Sequence, residues 1–449
     1  MDATLLHLAH YAVDTDFDQL PPGAAHECER RLVDSVACAA GAFREPLCET
    51  LRAFTRHYAG VPPARVWGTG AATSMEMAAF ANGTMVRFLD YSDTWLGRGA
   101  GHPSDMIPAL VAVAEAHRAS GRALVAAIVV AYELYCGLCE AAGAERRLDQ
   151  ATFAAVGAAA GTGRLLSLDE ARMANALALA LAPNLHLYNV RTGTLSDWKG
   201  CAGPNGARNG VFAALLACEG VTGPTAPIEG KGGLFDLVGE FELRPGAGTR
   251  PLLMDTHLKL HPVCYHGQSA IDAALALRSA VPLEQVVDIH VETYEAAYRA
   301  MGSDSSKWAP ATRETADHSL PYTVAMALRE GRLSSAAYGK DRLNDALTKH
   351  LMDKVRVTAS DELTRGYPGK VQTRVTLSSA DGSVHSHLQE WPKGHAAQPL
   401  CDNELEQKFT SLHEAWGDAV ATRRTLEAIW SVDQLADVTR LVDALCLNR

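Results

Sequence analysis

The sequence is poor in the features that settle a protein's class at a glance. Aromatic residues make up 6% of 449, charged residues 21% and hydrophobic residues 47%. That balance excludes a disordered or collagen-like chain and describes packed globular structure. At roughly 150 residues per domain, the length suggests two or three domains. No basic tail or stripe occurs, and 52 acidic against 41 basic residues give a formal net charge of −11. A nucleic-acid partner is therefore not expected. Long apolar runs are missing too. The longest, residues 123–132, stops at Glu133 and is too short to span a bilayer, so no membrane partner is expected. The start MDATLLHLAHYAVDTDFD has early acids and no basic region, unlike a secretory signal. Ten cysteines without framework spacing read as reduced thiols in the cytoplasm.

Cofactor signatures are also lacking. There is no Walker loop, no H-E-x-x-H and no paired C-x-x-C. The single C-x-x-C, Cys136 with Cys139, lies in an apolar helical stretch and reads as two buried thiols. GTGAAT at 68–73 lacks the strand–helix context of a dinucleotide site. The expectation is an enzyme with no cofactor and no metal.

What is present divides by periodicity. Up to about residue 265 the text is mostly helical, with Ala-rich runs such as AAVGAAAG and NALALALA that suit close helix contact. Ser167 and Glu170 form a capping box before a helix that Pro183 ends. After about 270, Val287, Ile289 and Val291 alternate with polar residues at strand period, and Val355 with Val357 repeats the signal. VQTRVTL, Asp381-Gly382 and SVHSHL read as a hairpin. Helical period returns from Asp402. The expected fold is mainly α: a large all-helical domain from residues 1–268 and 402–449, with an inserted smaller α+β domain at 269–401.

Four polar clusters compete for a site. The first is Asp90-Tyr91-Ser92-Asp93-Thr94 with Arg98, His102 and Ser104 on a Gly-rich stretch between helices. Helix capping by Asp93 or Ser104 explains one of these residues but hardly all. The second is Ser196-Asp197-Trp198-Lys199, whose lysine precedes small residues and reads as partly buried, suiting an anion. The third is Lys259-Leu260-His261-Pro262 with Tyr265-His266-Gly267-Gln268, at the domain junction. The fourth is Asp317-His318-Ser319-Leu320-Pro321-Tyr322, where Asp317 reads as a cap and His318 as a structural histidine. Lys, Arg and His at punctuated positions of an acidic chain suit a di- or tricarboxylate.

ANGTMVRFLDYSDTW with GHPSDMIPALVAVAEA, then DWKGCAGPNGARNGVFAALLACEGVTGP, LKLHPVCYHGQSAIDAAL, TADHSLPYTVAMALREG and WPKGHAAQPLCDNELEQKF, carry a resemblance. In this order they resemble the MmgE/PrpD family over nearly the whole chain. Its members include 2-methylcitrate dehydratases, cis-aconitate decarboxylases and an iminodisuccinate epimerase. The resemblance implies a helical domain from both chain ends, an α+β lid, a cleft between them, a homodimer and no obligatory cofactor. It matches family site positions to Asp90, Thr94, His102, Lys199, Lys259 and Tyr322. Tyr265, His266 and Gln268 resemble the methylcitrate dehydratase branch. Three departures stand out. Ser92 replaces an aspartate, the stretch from Thr94 to His102 is about two residues longer than in the decarboxylases, and Gln150 stands where a histidine is expected.

The expected activity is that of a lyase: dehydration of a 2-methylcitrate-like hydroxy polycarboxylate, with decarboxylation or epimerisation as alternatives and a non-catalytic binding protein as a remote one. Negative charge developing beside a carboxylate calls for fixed cations, and Lys199 and Lys259 fit that role. His102 is expected to move the proton, with His266 second. Asp90 orients a histidine, while Asp93, Thr94, Arg98, Gln268 and Tyr322 hold substrate groups.

Overall fold

The structure is a computed structural model describing residues 1–143 and 148–447. It is mainly α-helical. Its larger core gathers Leu5 and Leu8 from one end of the chain with Phe409, Val442 and Leu445 from the other. A second core runs from Val263 to Leu377. Val263 belongs to the core that Ala270, Ile271 and Ala274 form on helix Gln268–Leu277. Leu400 is already back in the first core.

Small side chains set how closely the first body's helices pack. A Cβ added at Gly206 or Gly210 of helix Trp198–Cys218 would lie 2.2 Å from the Ala151 carbonyl oxygen or 2.3 Å from that of Ala155. Helix Ala151–Leu165 therefore seats against two glycines one turn apart, at backbone contact distance. On its other side Trp198–Cys218 meets helix Met75–Phe88, where a Cβ at Gly83 would come within 2.9 Å of Pro204. These approaches fix where Arg87 and Lys199 can stand.

Helix Gly121–Ala142 corrects the expectation about apolar length. Its 22 residues are long and apolar enough to cross a membrane, yet 89% of the most apolar window is buried inside the protein. Glu133 does not stop it, because its carboxylate accepts the Gly246 and Leu252 N–H groups at 2.9 and 2.8 Å. Cys136 and Cys139 are both buried free thiols on this helix.

Two further local expectations give way. Ser167 does not cap a helix. It sits at φ +53°, its N–H turned back to Arg164, and Asp169 caps Glu170–Leu181 by accepting the Arg172 N–H at 2.8 Å. Nor is the first body all helical. Strands β1 (Ala64–Arg65) and β2 (Ala72–Thr73) pair antiparallel, as do β3 (Trp95–Leu96) and β4 (Ala100–Gly101).

The second body carries β5 (Val286–Thr293), β6 (Val355–Ala359), β7 (Thr373–Ser379) and β8 (Val384–Gln389), in the order β6-β5-β7-β8. The β5–β6 pair is parallel and the others antiparallel. Ile289 and Val291 face the core, but Val287 is 53% exposed because the register shifts between Val286 and Asp288. Gly382, at φ +87°, supplies the left-handed position closing the β7–β8 hairpin. Helix Leu320–Glu330 starts at Ser319, whose hydroxyl accepts the Tyr322 N–H at 3.1 Å.

Candidate active site

The end of helix Met75–Phe88 begins the site. Past Arg87 the chain turns through Asp90 at φ +51°, a left-handed conformation that a non-glycine residue holds only when its surroundings insist. Those surroundings are cations. One Asp90 oxygen lies 2.5 Å from Lys259 Nζ and 3.1 Å from Arg87, and the other lies 2.9 Å from Lys199 Nζ. Lys259 also donates to the Asp90 carbonyl at 2.8 Å.

Lys199 continues the network into the second body. Its ammonium donates to both Asp317 oxygens at 2.8 and 3.0 Å, and Asp317 holds His318 Nδ1 at 2.6 Å. Asp90, Lys199, Lys259 and Asp317 are each at most 3% exposed. Arg87, Lys199 and Lys259 against Asp90 and Asp317 leave one positive charge before His318 is counted, in a protein of net −11. Charges this deep persist only as pairs.

The environment sets each proton. Burial opposes ionisation of Asp90, but Arg87, Lys199 and Lys259 outweigh it and hold the carboxyl well below its usual range. Asp317 is likewise held down against burial by Lys199 and His318. Burial pushes the Lys259 ammonium down despite Asp90. His318 moves up: burial and Lys199 oppose its charge, and Cys264 and Asp317 more than compensate.

His102 goes the other way, driven well below its ordinary value by burial, Arg87 and Lys259. Its Nδ1 lies 2.8 Å from the Asp93 carbonyl, which can only accept, so Nδ1 carries the proton and Nε2 keeps a bare lone pair. The His102 backbone N–H is fixed by the Tyr135 hydroxyl at 2.7 Å. Gln150 Oε1 accepts the same tyrosine's O–H and lies 3.4 Å from the His102 N–H, while Gln150 Nε2 is buried without a partner. His266 bonds the Tyr294 hydroxyl at 2.7 Å and is pushed down to about 4 by burial, His318 and Lys259.

The structure thus brings Asp90, Lys199 and Lys259 into one network, with His102 and His266 within reach of its charges. Thr94 stands beside them, its hydroxyl 3.4 Å from His102 Nδ1. Three expected substrate ligands are engaged elsewhere and a fourth is exposed. Asp93 spends its oxygens on the Ser104 N–H and the Tyr132 hydroxyl, at 3.0 and 2.8 Å. Arg98 is exposed on the β3–β4 turn, while the longer stretch folds as a hairpin against helix Gly121–Ala142, the Arg98 N–H donating to Glu140 at 2.8 Å. Gln268 clamps its own loop, accepting from His261 N–H and donating to the His261 and Val263 carbonyls. Tyr322 lies in the second core and donates to the Ala337 carbonyl at 2.5 Å.

Arg87, Asp317 and His318 were not among the expected site residues. Ser319 does the capping that the sequence suggested for Asp317, which frees the aspartate for Lys199. Asp90, Asp317 and His318 also bring ligand atoms within 4.8 Å of one another, as a metal site would. The Lys199 ammonium already sits against both of those carboxylates, so a cation would have to displace it.

The MmgE/PrpD N-terminal domain matches residues 6–243, and the MmgE/PrpD C-terminal domain matches residues 261–434. The chain belongs to the MmgE/PrpD family. Among its relatives, a 2-methylcitrate dehydratase of Cupriavidus necator is 30% identical over 410 residues, covering 84% of this chain and 83% of that one. The 2-methylcitrate dehydratase of Escherichia coli K12 is 28% identical over 431 residues, covering 88% and 86%. Human cis-aconitate decarboxylase is 24% identical over 355 residues, covering 74% and 71%. Dehydratases and decarboxylases are lyases, and this member of the MmgE/PrpD family is an enzyme of that class.

Proposed function

We propose that this MmgE/PrpD protein dehydrates a 2-methylcitrate-like hydroxy polycarboxylate without a cofactor. One observation carries the reading. Two imidazoles beside the same lysine–carboxylate network have their proton affinities pushed in opposite directions, His102 down and His318 up. Environments that separate two titratable groups in this way assign one as base and the other as acid.

The base is His102 Nε2, which takes the proton from the carbon next to a substrate carboxylate. The C–H electron pair becomes the new C=C bond as the C–O bond on the neighbouring carbon breaks. His318 gives its proton to the departing hydroxyl, which leaves as water. Charge on the carboxylate during proton removal is met by Lys199, Lys259 and Arg87, already fixed and desolvated, where one such donor is worth about 3 kcal/mol. The substrate's carboxylates take over lysine hydrogen bonds that Asp90 and Asp317 now hold. Asp317 and His318 come from the second body, so the site opens and closes as that body moves like a lid. The protein works in the cytoplasm as a homodimer.

A panel of hydroxy polycarboxylates, followed by proton NMR and headspace CO₂, tests this. Loss of water to an alkene without CO₂ supports it. CO₂ release identifies the decarboxylase chemistry named in the human relative.

A further inference from the structure

The network's geometry is held from behind by a residue that touches neither substrate-facing histidine. Lys408 belongs to helix Asp402–His413, near the far end of the chain, and is 1% exposed. Its ammonium makes three bonds. It donates to Asp34 on helix Ala24–Gly41 at 2.6 Å, to the Tyr91 carbonyl at 2.8 Å and to the Lys259 carbonyl at 2.8 Å. It also lies 3.7 Å from the centre of the Tyr91 ring. Tyr91 in turn donates its hydroxyl to the Leu260 carbonyl at 2.6 Å.

Those two carbonyls mark the places where Asp90 and Lys259 leave the backbone. Asp90 sits immediately before Tyr91, in a left-handed conformation that an aspartate tolerates better than most residues but that still needs support from its surroundings. Lys259 reaches back to the Asp90 carbonyl and carboxylate. The two strands of chain are far apart in sequence, and Lys408 ties both to one point. Three donors, three acceptors and a cation facing an aromatic ring use the ammonium completely. Burial opposes its charge, but Asp34 holds the Lys408 ammonium above its ordinary value.

We infer that Lys408 is a positioning residue, whose clamp on the Tyr91 and Lys259 carbonyls sets the Asp90–Lys259 pair at reacting geometry. This rests on the proposed role of that pair. A buried lysine that only filled space would use its stem and its one carboxylate. Here the ammonium is spent on the backbone of the two segments that carry the site. A misplacement near 1 Å at a reacting group costs roughly 10²-fold in rate.

The test uses Lys408→Met together with Lys408→Met/Asp34→Asn, the second so that no unpaired carboxylate stays buried. Leu405→Ala, a core truncation on the same helix, serves as a control for stability loss alone. At a temperature where all variants are folded by circular dichroism, the clamp predicts kcat lower by about 10²-fold in the double variant, with KM changed less than threefold and Leu405→Ala near wild type. A second readout needs no substrate: acetic anhydride labelling of Lys259, read by mass spectrometry on the folded protein. Lys259 should label several-fold faster in the double variant than in either wild type or Leu405→Ala. Unchanged Lys259 labelling and kcat equal to that of Leu405→Ala would overturn the inference. If wild type turns over no acid but Lys259 labelling rises as described, the clamp stands and the assigned reaction is what fails.

Discussion

Asp317→Asn probes the acid arm of the site with little change of shape. Asparagine keeps one acceptor oxygen for Lys199 but removes the charge that faces both Lys199, at 2.8 and 3.0 Å, and His318, at 2.6 Å. Breaking one partner from a buried pair costs about 3–5 kcal/mol, and Lys199 keeps its ion pair with Asp90 at 2.9 Å, so the lower end is expected. His318 loses two contributions that raise it and keeps burial and Lys199, which lower it. Its affinity for a proton must fall. An acid works only while protonated, so the alkaline limb of kcat/KM moves to lower pH. Above that limb the variant should lose roughly 10²–10⁴-fold, the usual worth of a general acid. Stability follows the same logic. Asp317 is held below its ordinary 3.8, and that gain fades as pH falls through its native value. His318 is held above 6.5, and that gain is complete below 6.5 and fades as pH rises through its native value. The Tm gap between wild type and variant should therefore be widest between 3.8 and 6.5. Profiles of kcat/KM and Tm from about pH 2 to about pH 9 check both claims, a range that brackets the ordinary carboxylate and imidazole values of about 4 and 6.5. An alkaline limb that stays in place would refute the role given to His318.

His102→Ala should abolish turnover with an unchanged circular dichroism spectrum, because it removes the Nε2 lone pair assigned as the base; activity within a few-fold of wild type would exclude it as the base. Arg98→Ala and Tyr322→Phe should leave KM within about twofold, since Arg98 is exposed and Tyr322 is bonded inside the second core, and a tenfold rise in either would restore it as a substrate ligand. EDTA should leave activity intact, because Lys199 occupies the place between Asp90 and Asp317; complete loss that a divalent metal restores would demand another mechanism. Gln150→His should raise turnover of 2-methylcitrate, because a glutamine amide cannot carry a proton near neutral pH and its Nε2 lies buried and unpartnered near His102; no gain would direct attention to the longer β3–β4 hairpin instead.

Residue type and spacing made the mainly helical character, the strands near 289, 356, 375 and 386, and the core of the site legible. Lysines followed by small residues, as at Lys199, or poised at a junction, as at Lys259, announce burial in an acidic chain. What stayed hidden depended on partners distant in sequence. Gln268 and Tyr322 look like substrate ligands until their carbonyl partners are known. Arg98 looks like an anion clamp until β3 and β4 pair and leave its side chain exposed at their turn. Asp317 and His318 read as cap and core because Ser-Leu-Pro-Tyr begins a helix one residue later, and only the fold shows that Ser319 caps it alone. Val287 has strand period, yet a bulge turns it to solvent.

Whether His102 moves a proton at the carbon beside a carboxylate is tested most directly by running the reaction backwards in D₂O. Wild type and His102→Ala are each given the unsaturated tricarboxylate corresponding to dehydrated 2-methylcitrate, and the product is followed by proton NMR. Wild type should add water and install a single deuterium, at one stereochemical position next to the carboxylate, while His102→Ala should install none. Equal deuterium uptake by the two proteins, or release of CO₂ in place of hydration, would contradict this reading.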